Sequence, residues 1–342
     1  MTGQGSGRPA RAGSNPLLGL TTLLCLLIIA AWGATAMGAV TMPLSKIAGA
    51  ILQFDGSRDH LLVMTVRLPR VIAAVLAGSA LAVAGAIMQA VTNNPLASPD
   101  LLGINAGAAF AVVMVMTLFG ARTGNTFVWF SFSGAAVAAV VVYAGSSLGR
   151  VGHSPLALVL AGVIVATFLT SVTTAMLIFD QSTLDAVRLW TAGSVTGRTM
   201  AQAKTVAPFI VAGLTAALLL GRHLTTLSLG RDASRSLGQN PLVWRGASIA
   251  IVILLAGGAV ALAGPIAFVG LVVPHSVRMC IGADYRLVIP FAALGGALLV
   301  VTADMVGRLL FGSQSFPVGV TIALIGAPFF LHLARTRLRG ET

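Results

Sequence analysis

Lysine is almost missing from this sequence: there are two, Lys46 and Lys204. A nucleotide-cradling loop has the form G-x-x-x-x-G-K-[ST], in which backbone N–H groups and the lysine meet the phosphate oxygens. Lys204 is followed by Thr205, but Ala203 and Arg198 stand where the glycines belong, so the chain has no such loop. Cysteine is equally scarce. Cys25 and Cys280 each lie inside an apolar run, with no C-x-x-C and no His/Cys cluster, which supplies neither a disulfide framework nor a metal site. The histidines are scattered and no H-E-x-x-H or G-x-S-x-G occurs, so no nucleophile and base are paired and the chain is not read as an enzyme. Charge of either sign is thin: Asp, Glu, Lys and Arg make up 9% of the 342 residues, against roughly 25% in an average soluble domain.

What fills the chain instead is apolar. Hydrophobic residues account for 57%, and 39 glycines suit helices that pack closely inside a membrane. Apolar runs of the length a bilayer requires fall near 17–39, 71–92, 101–120, 127–148, 156–179, 206–221, 242–262, 266–281, 287–306 and 317–334. The fold class expected is all-α: a polytopic membrane protein with about ten transmembrane helices in a compact bundle. Residues 17–335 form a single transmembrane domain, 1–16 a disordered cytoplasmic tail and 336–342 a short cytoplasmic one. Arg8, Arg11, the first apolar run and "ATA" at 34–36 also resemble a signal peptide. The run from Leu17 is longer than a signal core of 7 to 15 residues, which favours a first transmembrane helix.

An even number of spans puts both termini on one side. With that side cytoplasmic, 12 of the 21 lysines and arginines lie inside, the sign the positive-inside rule asks for. The formal charge of +12 does not point to nucleic acid, because the basic residues sit in short connectors and form no basic domain. Arg67 and Arg70, flanking Pro69 in "RLPRVIAAVLAG", then lie outside, where the rule does not require them.

Ion-coupled transport generally places a carboxylate in mid-bilayer. Asp304 is the one carboxylate within a span, and Arg308 stands one helical turn after it, which reads as an interfacial pair. Gln89 and His275 are polar groups within spans, each open to two readings: lining a pathway, or bonding to a neighbouring helix. Two connectors are distinctive. "QAVTNNPLASPDLLGINAGAAF" (89–110) carries Asn, Pro and Ser of turn chemistry. "RHLTTLSLGRDASRSLGQNPLVWRG" (222–246) places Leu227, Leu229, Ala233 and Leu237 at helical spacing before Gly238, a C-cap residue, and Pro241. That pattern reads as a short amphipathic helix on the cytoplasmic face, either resting on the membrane or docking into a partner.

Together, "RLPRVIAAVLAGSALAVAGAIMQAVTNNPLASPDLLGINAGA" (67–108), "GPIAFVGLVVPHSVRM" (264–279), "ADMVGR" (303–308) and "PVGVTIALIGAPFFLHL" (317–333) closely resemble the FecCD-type permeases. These are membrane subunits of ABC importers for iron–siderophore complexes, haem and cobalamin. The resemblance implies a permease working by alternating access in the bacterial cytoplasmic membrane, with both termini inside. Its implied partners are a second permease subunit, identical or related, two ATP-binding subunits and an extracytoplasmic substrate-binding protein. An iron–siderophore complex is the implied cargo. No cofactor is expected on this chain, ATP and Mg belonging to the partner subunits. The resemblance assigns Arg67, Arg70 and Arg308 to docking of acidic groups on the binding protein. It assigns Asn94, Pro95 and Leu96 to a cytoplasmic gate loop, and Leu229, Gly230, Arg231, Asp232, Ala233, Ser234, Leu237 and Gly238 to the helix that couples to the ATPase. Arg231 departs from the family, where an acidic residue often follows the glycine.

Overall fold

The computed structural model describes residues 15–38, 40–120, 125–147, 155–312 and 316–338, and among them every regular element is a helix. The first is α1 (Pro16–Ala36), begun by a proline in its first turn and capped by the Asn15 side chain, which accepts from the Leu17 N–H at 3.2 Å. After the short α2 (Leu44–Leu52) comes α3 (Arg58–Thr92). Pro69 sits inside α3, where its ring would crowd the carbonyl of Thr65. The helix widens into a π turn over Val63–Arg67, which takes up the proline without a break.

There follow α4 (Ile104–Phe119), α5 (Asn125–Ser147), α6 (Pro155–Phe179), the short α7 (Gln181–Thr191) and α8 (Met200–Leu219). Two small helices, α9 (Gly221–Leu227) and α10 (Arg231–Ser236), precede α11 (Pro241–Ala263), which holds a second π turn at Ile253–Gly257. The chain closes with α12 (Val269–Ile281), α13 (Tyr285–Phe311) and α14 (Val318–Leu338). Seven helices, α1, α3, α5, α6, α8, α11 and α13, are long and apolar enough to cross a membrane, and α4, α12 and α14 are shorter apolar helices. Each falls on one of the ten expected spans. The second span begins at Arg58 rather than at 71, and α14 runs as helix to Leu338, past the expected edge of the C-terminal tail. The rest of both tails lies outside the described residues.

The axis of the bundle is α3, buried on nearly every side between Val71 and Thr92, as expected of a helix apolar all round. It packs against α13, α12, α11 and α8. Glycine makes this possible: a Cβ on Gly78 would overlap the carbonyl of Gly296 in α13, and one on Gly85 that of Gly270 in α12. A second packet, α4 with α5 and α6, is drawn together by the same device at Gly107 and Gly134.

Candidate functional site

Arg67, Arg70 and Arg308 meet at one end of the bundle, around the end of α1. A helix leaves its last carbonyls without intrahelical donors, and two arginines from other helices supply them here. Arg67 donates from Nη1 to the carbonyls of Thr35 (2.8 Å) and Ala36 (2.9 Å), and from Nη2 to that of Val40 (2.5 Å). Arg308 donates from Nη1 to Met37 (2.8 Å) and from Nη2 to Ala34 (3.1 Å). Arg70 turns to Asp304, with Nη2 at 2.8 Å from Oδ1 and Nε at 3.0 Å from Oδ2. Arg308 Nε lies 3.3 Å from the same Oδ2. The exposures of Arg67, Arg70, Asp304 and Arg308 are 7%, 6%, 4% and 8%.

One expectation changes: the Asp304–Arg308 pair exists, but it is buried rather than interfacial and includes Arg70. In this conformation the guanidinium groups of Arg67, Arg70 and Arg308 are turned inward onto carbonyls and a carboxylate of this chain. The physical reason is the α1 terminus: its buried carbonyls need donors, and the planar five-donor guanidinium reaches several at once.

At the opposite end the turn after α3 meets the small helices. Asn93 adopts left-handed backbone at φ 52°, and with its amide oriented to satisfy both atoms its nitrogen donates to the Ser228 carbonyl at 2.8 Å. Asn94 closes the turn by accepting from the Leu96 N–H at 2.9 Å, and Leu96 is exposed. The N–H of Tyr285 donates to Thr225 Oγ1 at 2.9 Å, and that hydroxyl donates to Asp284 at 3.3 Å, so α9 is tied to the start of α13. Hydrogen bonds from Arg286 hold the Asp284 carboxyl below the usual carboxylate range, which keeps this helix cap ionised.

The expected coupling helix is shorter than its pattern. Only Arg231–Ser236 is helical, with Gly230 at φ 101° entering it. Ser234 is fully buried, its hydroxyl donating to the carbonyls of Thr226 and Gly230, both at 2.8 Å. Gly238 ends the helix in left-handed backbone: its N–H reaches Arg235 and that of Gln239 reaches Ser234, a closed Schellman turn. The apolar stripe divides. Leu227 is buried in α9, while Leu229 and Leu237 are exposed, Arg231 and Asp232 are exposed and Ala233 is half-buried.

Gln89 bonds one neighbouring helix, α12. Its Nε2 donates to the Gly270 carbonyl at 3.2 Å and its Oε1 accepts from Arg278 Nη2 at 2.5 Å, with the residue 2% exposed. His275 is buried in α12. Sequence reasoning missed Arg278, Asn93, Thr225 and Asp284 as junction residues. Only Asn93, in the "TNNP" turn, carried a local signal, the αL preference of asparagine.

Ten apolar helices among the described residues, one of them the buried axis α3, with short helices fixed across one end, define a multi-pass membrane protein. The sequence matches the model of the FecCD transport family over residues 23–336. It is 44% identical over 282 residues to the Fe(3+)-citrate import system permease protein YfmD of Bacillus subtilis (strain 168), covering 82% of this chain and 84% of that one. It is 40% identical over 319 residues to the ferric enterobactin transport system permease protein FepD of Escherichia coli (strain K12), covering 93% and 95%. A solved structure described as a metal-chelate type ABC transporter in an inward-facing conformation superimposes with a TM-score of 0.83 at 26% identity, over 94% of this chain and all of that one. The chain belongs to the FecCD transport family. It is a transport permease subunit of an ABC importer and not itself catalytic.

Proposed function

We propose that this subunit translocates ferric siderophore complexes by ATP-driven alternating access. The observation that carries the reading is that relatives matched over most of their length are named for ferric citrate and ferric enterobactin. Nucleotide, with its Mg, binds partner subunits, consistent with the lack of a phosphate loop here. A second permease, identical or related, completes the pathway, and both termini face the cytoplasm. The end carrying α9 and α10 meets the ATPase, where the exposed Leu229 and Leu237 offer apolar contacts and Asn94, Pro95 and Leu96 close the gate. A substrate-binding protein meets the opposite end. Direct pairing of its acidic groups with Arg67 or Arg308 requires those side chains to release the α1 carbonyls, so docking and a shift of α1 occur together. A ligand that binds the two arrangements unequally moves the equilibrium between them.

Uptake of radiolabelled iron, supplied as a panel of siderophore complexes to cells with and without this gene, tests the reading. Loss of uptake for one chelate supports it. Loss of haem or cobalamin uptake with intact iron uptake replaces the cargo. Uptake that continues without any ATPase partner overturns the machine in favour of ion-coupled transport.

A further inference from the structure

Between α3 and α4 the chain turns back within the depth of the spans rather than beyond their ends. A short 3-10 turn, Pro99–Leu102, is pinned there by two glycines. A Cβ on Gly162, two turns into α6, would overlap the Leu101 carbonyl. Pro99 packs on Gly270, which itself faces Gly85, two turns before the end of α3. At 1.5 Å per residue, both contacts put the turn about 10 Å inside the helix ends. Backbone that is not α-helical is tolerated at such depth only where protein buries it or water reaches it.

Both conditions are met, at different residues. Pro99 and Leu102 are buried, while Asp100 is exposed. Its carboxylate accepts from Asn105 Nδ2, in the first turn of α4, and its carbonyl accepts from the Gly103 N–H at 2.8 Å. Among the described residues the carboxylate has no other partner, and no cation pairs with it. An ionised carboxylate offers about four acceptor positions, and Asn105 fills one.

Three surroundings are available to an exposed side chain at this depth. Lipid brings no donors, and a carboxylate in hydrocarbon without a cation is costly. A second subunit would have to bring a buried cation into register. Water satisfies the free lone pairs with no such partner, and a permease admits water along its path whenever the path is open. We propose that Asp100, braced by Asn105, lines a water-filled stretch of the transport path within the membrane, an assignment that rests on the permease reading above. There the carboxylate is an acceptor for N–H and O–H donors of the passing cargo, of the kind that tunes selectivity where polar groups line a pore.

The chain's two cysteines, Cys25 and Cys280, are both replaced by serine for the test. Asn105→Cys is then introduced, and the chain is assembled into the complex with its ATP-hydrolysing partner in nanodiscs, where both faces meet water-soluble thiosulfonates. A thiol in apolar surroundings stays protonated and unreactive, and Leu24→Cys, at an exposed position well inside α1, supplies that reference. Asn105→Cys is expected to react roughly tenfold faster or more than Leu24→Cys in the nucleotide-free or the ATP-bound state. A cationic trimethylammonium reagent should outpace an anionic sulfonate one, and adding Asp100→Asn should lower that preference about tenfold. Asp100→Cys repeats the access measurement with Asn105 intact, and co-purification with the partner checks that each variant folds. Labelling no faster than Leu24→Cys in both states overturns the proposal, because the pair then faces lipid or a subunit contact. Access in the isolated chain that assembly abolishes also overturns it, by assigning Asp100 to a neighbouring subunit. An unchanged reagent preference after Asp100→Asn overturns the role of the carboxylate. These readouts use no cargo, so they succeed or fail apart from the uptake experiment above.

Discussion

Arg70 and Asp304, 234 positions apart in sequence, form a bidentate buried ion pair, Nη2 to Oδ1 at 2.8 Å and Nε to Oδ2 at 3.0 Å, which joins the first half of the central helix α3 to the last turns of α13. With Arg308 on the same carboxylate, one anion serves two buried cations. Deleting one member of such a group leaves the others uncompensated, a cost of about 3–5 kcal/mol. Asp304→Asn keeps the shape and removes the charge. The purified variant is expected to unfold at clearly lower temperature than wild type in the same detergent, and an equal midpoint would show that the triad is not held as described.

The end of α1 depends on Arg67. Lysine at this position keeps the charge but replaces a planar fork by one ammonium, which cannot reach Thr35, Ala36 and Val40 together. Arg67→Lys should leave at least one carbonyl unsatisfied, a loss of about 1–3 kcal/mol. Because the Met42 N–H bonds Ala36 across this corner, amide exchange should quicken over residues 37–42 and stay unchanged in α12. Uniform protection throughout would refute the capping role.

All ten apolar helices were legible in the sequence, because length and hydropathy are local properties. The role of Gly238 as a C-cap was legible too, as a glycine that follows residues at helical spacing. The burial of Arg67, Arg70 and Arg308 was not. Their environment is made by carbonyls at 34–40 and a carboxylate at 304, and no window around 67–70 contains either. Local pattern also overstated α10, since Leu229 and Leu237 have helical spacing but lie outside the six helical residues. The stripe is divided between α9, α10 and the turns that flank them, so its spacing does not mark one helix. Gln89 stayed ambiguous until Gly270 and Arg278 were seen against it.

Glycine placement makes a sharper test of the packing. A Cβ at Gly85 would overlap the Gly270 carbonyl, backbone against backbone, with no flexible side chain to yield. Gly85→Ala must separate α3 from α12, and overpacking of this kind costs about 1–3 kcal/mol or more. Gly145, in α5, faces open space. Gly145→Ala should match or slightly exceed wild type in stability, since alanine is the better helix former. The two variants measured side by side separate a steric effect from a general intolerance of α3 and α5.

The coupling proposed for the small helices requires that α10 be held rigidly on α9. The buried hydroxyl of Ser234 makes that joint by bonding Thr226 and Gly230, and Thr225 carries it on to the first residues of α13. Ser234→Ala removes both bonds at a cost of about 1 kcal/mol, too little to unfold the chain. In the complex with its ATP-hydrolysing partner, this variant should keep ATP hydrolysis while moving less cargo for each ATP consumed. Leu237→Asp, by contrast, changes an exposed side chain and should weaken association with the partner while leaving the isolated chain as stable as wild type. Transport and hydrolysis falling in parallel in Ser234→Ala would mean that the joint supports assembly and not transmission. The ratio of the two rates therefore decides the role of the joint, because a binding defect lowers both and a transmission defect lowers only one.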